Sequence, residues 1–545
     1  MKNRLLLITL SLSLLMGCST SKVEYVCSTD ATKLAGEYIP VKLTTDVSHL
    51  SKNQQKILPL LFEVSDIMDN IYWKQAWGNK EVLFEHIKDN NLRKLTTINY
   101  GPWNRLDGDN SFIVGIGNKS LGAEFYPKDM TKDEFDQLKD PNKTSHYTII
   151  KRDSMNNLKV VPYHLAYKSE LDKASSLLKQ AATLAENPPF KAYLESIAQS
   201  LVDDNYYKSD MAWMDIKDSK LNFVVGPIER YEDQLYGYKN SFEAIVLVRD
   251  DSWSNKIDHI IQLLPQLQKA LPVDETYKSE VPSLNSHLDV CDVVYCKGDG
   301  NGAGKTIALN LPNNPKVQQA KGSRRIYLKN CMKAKFDKIM VPISKELIVR
   351  EQQQYVTFDA FFDNTLLLEI AHGLGMNHTV DGKHTVMEQL KEHYSVIELG
   401  KADIVGLFLI NELDKVKALG ENHDIKDNYV TIMAGIFRAL RFGGANTHGK
   451  ANMIRFNYFC KYGAFEKDMV TGKYHVDFDK MHDAMVNLSK IYLKLQGDGN
   501  YDKASAFIYD LAVIPADLEA DLVKLETAGI PRDIVFEQGL DQLDL

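Results

Sequence analysis

Cysteine is scarce, six in 545 residues, too few to staple a chain of this length, so the fold must rest on buried apolar surface. Basic residues are no commoner than acidic ones. Lys and Arg total 65 against 73 Asp and Glu, and the net charge of −8 is spread along the chain without a basic footprint. Nucleic acid is therefore not an expected partner. After the first twenty residues no apolar run is long enough to cross a bilayer. There is no internal repeat and no low-complexity block. What is present is an ordinary globular composition, 44% hydrophobic and 25% charged. A body of this length exceeds one compact core, so two or more lobes are expected.

The N-terminus has the parts of an export signal. Lys2 and Arg4 precede an apolar stretch from Leu5 to Leu15, and Leu15-Met-Gly17-Cys18 closes it. The run is too short to span a membrane, and small Gly17 directly before a cysteine is the lipobox arrangement. Residues 1–17 read as a signal peptide and Cys18 as the lipidation site, with 18–45 as a lipidated, Ser/Thr/Lys-rich tether. The expected location is the cell envelope, outside the cytoplasm on a membrane anchor, with the outer membrane favoured. Of the other five cysteines, Cys291 and Cys296 are close enough in sequence for a disulfide or are two buried thiols.

Helical periodicity begins just after Pro59, where Leu60, Leu61, Val64, Ile67, Met68 and Ile71 line one face. Residues 165–205 read as amphipathic helix broken near Pro188-Pro189. Short β-branched runs at 222–226, 244–249 and 306–310 read as strands. Beyond about residue 340 helical patterns dominate. The fold class is α+β: a mixed α/β lobe over 46–340 and a mainly helical lobe over 341–545, with about 251–294 assignable to either. Gly300-Asn-Gly-Ala-Gly304-Lys305-Thr306 imitates a phosphate loop, but the required first glycine is Asp299 and the loop precedes a strand. It reads as a glycine-rich turn, and no nucleotide is expected.

The chemistry-bearing segment is Asn364-Thr-Leu-Leu-Leu368-Glu369-Ile-Ala-His372-Gly-Leu-Gly375. A helix carrying His-Glu-x-x-His puts two histidines on one face for zinc, with the Glu as base on a zinc-bound water. Glu369 and His372 keep that relation, but Leu368 holds the first position. A second helical pattern follows in Glu398-Leu399-Gly-Lys-Ala-Asp403.

Together these segments resemble the paired metal-site helices of the dipeptidyl peptidase III family, whose second helix reads Glu-Glu-x-x-Ala-Glu/Asp. Glu398 matches the first Glu, Leu399 the ligand Glu and Asp403 the final acid. Tyr100-Gly-Pro-Trp-Asn-Arg105, Gly122-Ala-Glu-Phe-Tyr-Pro127, Gly226-Pro-Ile-Glu229-Arg-Tyr231, Ile307-Ala-Leu-Asn310-Leu-Pro-Asn313, Arg441-Phe-Gly443 with Thr447-His448-Gly449, and Gln496-Gly-Asp-Gly499 also resemble bacterial members. The resemblance implies two lobes across a wide cleft, the helical one carrying the metal-site helices. It also implies that Glu229, Tyr231, Asn310 and Asn313 bind a peptide's amino terminus, and that Glu369 and His448 stand at the reaction centre. A carboxylate facing an ammonium, with amide oxygens accepting its remaining protons, is sound chemistry for that anchor.

Of the three family ligands only His372 survives, beside the flanking acids Glu398 and Asp403. Leucine has no lone pair, so no zinc or other cofactor is expected unless the site has been rebuilt, for instance with His378, His384 or His393. The two leucines are expected to meet as an apolar contact. Glu369 is expected to become a buried acid with a raised pKa or an Asp or His partner. The reading that follows is a lipid-anchored member without zinc peptidase activity that binds short peptides by their N-termini. The alternatives are an active zinc peptidase with a rearranged site, and a structural or partner-binding envelope protein.

Overall fold

A computed structural model describes residues 24–282 and 286–543. The signal segment 1–17 and the lipidation site Cys18 lie outside the described residues. The first regular elements fall inside the expected tether: a short helix Ala31–Gly36 capped by Asp30, then strand β1, Tyr38–Lys42. Tyr38 and Val41 are buried, and that burial brings this part of the segment into the fold.

Helix α1, Lys52–Ala76, starts earlier than its periodicity suggests. Ser51 and Gln54 form a capping box, and Ile57 and Leu58 already belong to the buried stripe, so Pro59 sits inside the helix. Proline there gives up one intrahelical bond, which the buried face on both sides outweighs. Helices α2, Lys168–Leu184, and α3, Pro188–Asp203, are separated where the proline pair stands. Asn187 caps α3 on the Phe190 N–H, with Pro188 in its first turn. Helix α4, Tyr207–Met214, leads into the central sheet.

That sheet holds β2, Leu221–Glu229; β3, Ser241–Arg249; β4, Ser286–Gly298; β5, Ala308–Leu311; and β6, Ser323–Leu328. Their spatial order is β2-β3-β4-β6-β5. Only β4 and β6 are parallel, with Val290 opposite Tyr327. β2 and β3 are buried along nearly their whole length, as their continuous apolar runs require. Although β2 and β5 are the sheet's opposite edges, the Asn313 amide just past β5 donates to the Ile228 carbonyl on β2 at 3.2 Å. The sheet therefore curls until its edges approach.

The rest of the chain is mainly helical. It includes α5, Phe358–Ala371; α6, Tyr394–Lys415; α7, Thr447–Lys461; and α8, Phe478–Asp498. Strand β7, Asp533–Glu537, returns to pair in parallel with β1, Tyr38 opposite Asp533. The expected α+β, two-lobed architecture is present. One large core gathers the helical half together with helices 251–262 and 264–270, and a second gathers the sheet with α1 to α4.

The 300–306 turn is structural. The Gly304 and Lys305 N–H groups donate to Asp533 Oδ2 at 2.7 and 2.9 Å, and the Lys305 amine is held by the Asn301 and Gly302 carbonyls. Cys291 and Cys296 are free, buried thiols. They lie on one strand opposite Arg249 and Ile245. Five residues of strand separate them by about 16 Å, well beyond disulfide reach, so the disulfide alternative falls.

Candidate functional site

Helices α5 and α6 meet at Gly406, where an added Cβ would lie 2.7 Å from the Leu368 nitrogen and 3.0 Å from the Leu367 carbonyl oxygen. Glycine is what lets the two backbones approach so closely. His372 stands at the end of α5, its Nδ1 2.7 Å from Glu398 Oε1. The same carboxylate faces the Lys401 amine at 3.0 Å and accepts from the Gln496 amide at 2.5 Å. Lys401, fully buried, also donates to the Ala371 and Leu374 carbonyls at 2.9 and 3.0 Å, so a cation caps the C-terminus of α5. Burial works to raise the Glu398 pKa, but Lys401 and His372 prevail and hold it below its ordinary 4.5.

Asp403, one turn further along α6, meets Arg455 of α7 at 2.9 Å. Its pKa is raised, chiefly by burial, and Arg455, His448 and His372 offset this only in part. His448 lies exposed in the first turn of α7, near Asp403. Leu368 packs on the helical core, whereas Leu399 is half-buried and not part of that packing. Both leucines are thus half-buried beside a polar frame of His372, Glu398 and Lys401.

Glu369 departs from its expected environment. It is half-buried, and its partner is neither Asp nor His but Arg325 of β6, whose Nη1 donates to the carboxylate at 2.7 Å and to the Glu369 carbonyl at 2.9 Å. Arg325 stands opposite Asn310 in the sheet. One guanidinium therefore ties the helical lobe to β6, the strand beside the one that carries Asn310. No sequence rule reads this pair, because 44 residues and a change of lobe separate its members. The only hint was the Arg324-Arg325 doublet on a strand otherwise built for burial.

The metal question turns on donors. A catalytic zinc needs three protein ligands and an open position. His372 retains the carboxylate partner that zinc-bound histidines commonly have, but Leu368 and Leu399 offer nothing. The rebuilt-site candidates do not converge: His378 is turned to Glu280 at 3.3 Å, and His393 lies against the Tyr501 ring, tilted, with centroids 4.7 Å apart. Among the described residues no three His, Cys, Asp or Glu side chains group so as to hold a metal ion. The residues present do not fit zinc.

The anchor residues lie on the curled edge of the sheet. The Asn313 amide donates to Glu229 Oε1 at 3.2 Å. Tyr231 is exposed, and its phenol pKa is raised first by the adjacent Glu229 carboxylate and then by burial. Asn310 and Asn313 are both exposed. Glu229, Tyr231 and Asn313 form one cluster, and Asn310 lies three residues before Asn313, on β5 opposite Arg325.

Comparison with known proteins agrees with this architecture. The family model described as peptidase family M49 matches residues 139–376. The solved dipeptidyl peptidase III of Caldithrix abyssi superposes with a TM-score of 0.88 at 35% identity, covering 94% of this chain and 99% of that one. The enzyme of Corallococcus sp. strain EGB gives 0.73 at 32% identity, covering 93% and 96%. Among curated proteins, an Arabidopsis thaliana protein named Nudix hydrolase 3 is 34% identical over 91% of this chain and 72% of its own length. Human dipeptidyl peptidase 3 is 26% identical over 30% of this chain and 22% of its own. Both solved structures match along almost their whole length, and this chain belongs to the dipeptidyl peptidase III family of zinc-dependent peptidases.

Proposed function

We propose that this chain is a lipid-anchored envelope member of the family that has lost zinc peptidase chemistry and binds short peptides by their free amino termini. The observation that carries the reading is the contrast within one site. Leu368 and Leu399 hold ligand positions, while His372, Glu398 and Lys401 keep their hydrogen-bonded frame. The would-be base Glu369 is committed to Arg325, a cation that competes for the carboxylate a water would need. At the other end, Glu229, Tyr231, Asn310 and Asn313 keep residue types that suit an ammonium. The Glu229–Asn313 hydrogen bond already orients the carboxylate. Lipid attachment at Cys18 would place this cleft at a membrane surface.

The deciding experiment measures zinc and dipeptidyl hydrolysis on protein purified without chelator. Neither should be found. About one zinc per chain, removable by chelator together with activity, overturns the proposal. Calorimetry with a free-amine tetrapeptide then tests the binding half. Binding abolished by N-acetylation supports it, and no binding of any short peptide leaves only a structural role.

A further inference from the structure

A cavity of about 470 Å³ opens in the mixed lobe between β2, helices α3 and α4, and the 311–316 segment. That is the size range of small-molecule sites. Its walls are aromatic. Tyr193, Tyr206 and Trp213 are each no more than 5% exposed, and Tyr147 closes a further side. Of the residues in the peptidase reading only Asn313 borders this space.

Three polar groups within it lack a full set of partners. The first is Asp210 on α4. Its carboxyl lies close enough to the Tyr147, Tyr193 and Tyr206 rings to act on all three hydroxyls. Its one polar neighbour is Asn314, and among the described residues no Lys, Arg or His pairs with it. Burial accordingly pushes its pKa up to about 7. The second is the Tyr206 hydroxyl, buried without a hydrogen-bond partner. The third is Asn240 Oδ1, likewise buried and unpaired, while its Nδ2 donates to the Pro227 and Ile228 carbonyls. Because those carbonyls only accept, the amide is oriented and the free atom is an acceptor. Buried polar groups are ordinarily paired, and two unpaired ones beside an acid without a cation, all lining one cavity, describe the missing partner. Arg230 and Lys316 also line the cavity without neutralising the acid.

We propose that this cavity binds a small aromatic amine, its ammonium on Asp210, its ring against Tyr147, Tyr193 and Trp213, and its remaining N–H or O–H groups on the unpaired Asn240 Oδ1 and Tyr206 hydroxyl. Aromatic faces stabilise a cation, the more so where water is excluded, and a carboxylate without a protein cation supplies the counter-charge. The site is independent of the peptide anchor, although Asn313 borders both.

Calorimetry on the intact chain with tyramine as probe, against N-acetyltyramine and p-cresol, tests this. Tyramine should bind saturably, and the two neutral analogues at least about tenfold more weakly, since each removes the charge-assisted contact. Asp210→Asn should weaken tyramine by about the same factor while leaving p-cresol unaffected. Glu229→Gln should leave tyramine binding unchanged. No saturable tyramine binding, or equal binding of N-acetyltyramine, overturns the proposal, and the comparison of analogues stands even if Asp210→Asn fails to fold. Loss of tyramine binding in Glu229→Gln would put the amine at the peptide anchor and also overturn it.

Discussion

The end of the cleft built from α5 and α6 and the end built from the curled sheet carry residues of opposite fates. At the helical end two of three ligand positions are leucines, yet His372, Glu398, Lys401, Asp403 and Arg455 still form one bonded frame. At the sheet end the expected anchor side chains retain their types; Tyr231, Asn310 and Asn313 stand exposed, Glu229 is half-buried, and the Asn313 amide bridges to Ile228 and Glu229. The frame holds through packing, because Lys401 caps a helix and neutralises Glu398 whether or not zinc is present.

The sharpest way to break this contrast is to restore the donors. Leu368→His with Leu399→Glu should take zinc content from none to about one per chain, read by elemental analysis, because His372 and its Glu398 partner remain in place. Either single change should bind little, since two ligands do not complete a site. A folded double variant without zinc would mean that the close approach at Gly406 denies the metal its space.

Removing the frame should be nearly as costly. Lys401→Met strands Glu398 and uncaps α5, and a broken buried pair typically loses about 3–5 kcal/mol, read by denaturant titration. The pH sign follows from the depressed Glu398 pKa. Its contribution is present above the unfolded carboxyl value near 4.5 and is lost as pH falls through the lower folded value. In Lys401→Met that acid loss should begin at higher pH. A loss under about 1 kcal/mol would say the frame is not structural.

At the sheet end, Glu229→Gln should leave stability unchanged within about 0.5 kcal/mol. It should weaken a free-amine tetrapeptide by about tenfold or more, and N-acetylating the peptide should add nothing further, because both changes break one interaction. The smallest effect is expected where the two ends meet. Arg325→Met removes a partly exposed pair, so stability should fall by about 1 kcal/mol or less. Its readout is the denaturation midpoint together with the small-angle scattering profile, which reports how the two lobes are held. No change in either would make the Arg325–Glu369 contact incidental.

Much of this was legible in the residues. The buried runs of β2 and β3 and the break between α2 and α3 follow from local pattern and capping. The turn at 300–306 followed from a misplaced glycine, and the ligand loss from two leucines at known spacing. The start of α1 was misjudged because a proline within a helix is read locally as a boundary, whereas the buried stripe runs through it. The Ala31–Lys42 segment looked like tether because its partner strand lies some 490 residues away, at Asp533–Glu537.

Sequence alone determined the element types, the family likeness and the absence of donors, because these depend on residue identity and short spacing. Tertiary structure decided which charges met. Arg325 found Glu369 across two lobes, Lys401 capped a helix that is not its own, and Asp210 was left among tyrosines with no cation. Pairings of that kind depend on how surfaces from distant parts of the chain are brought together, and no local periodicity encodes them.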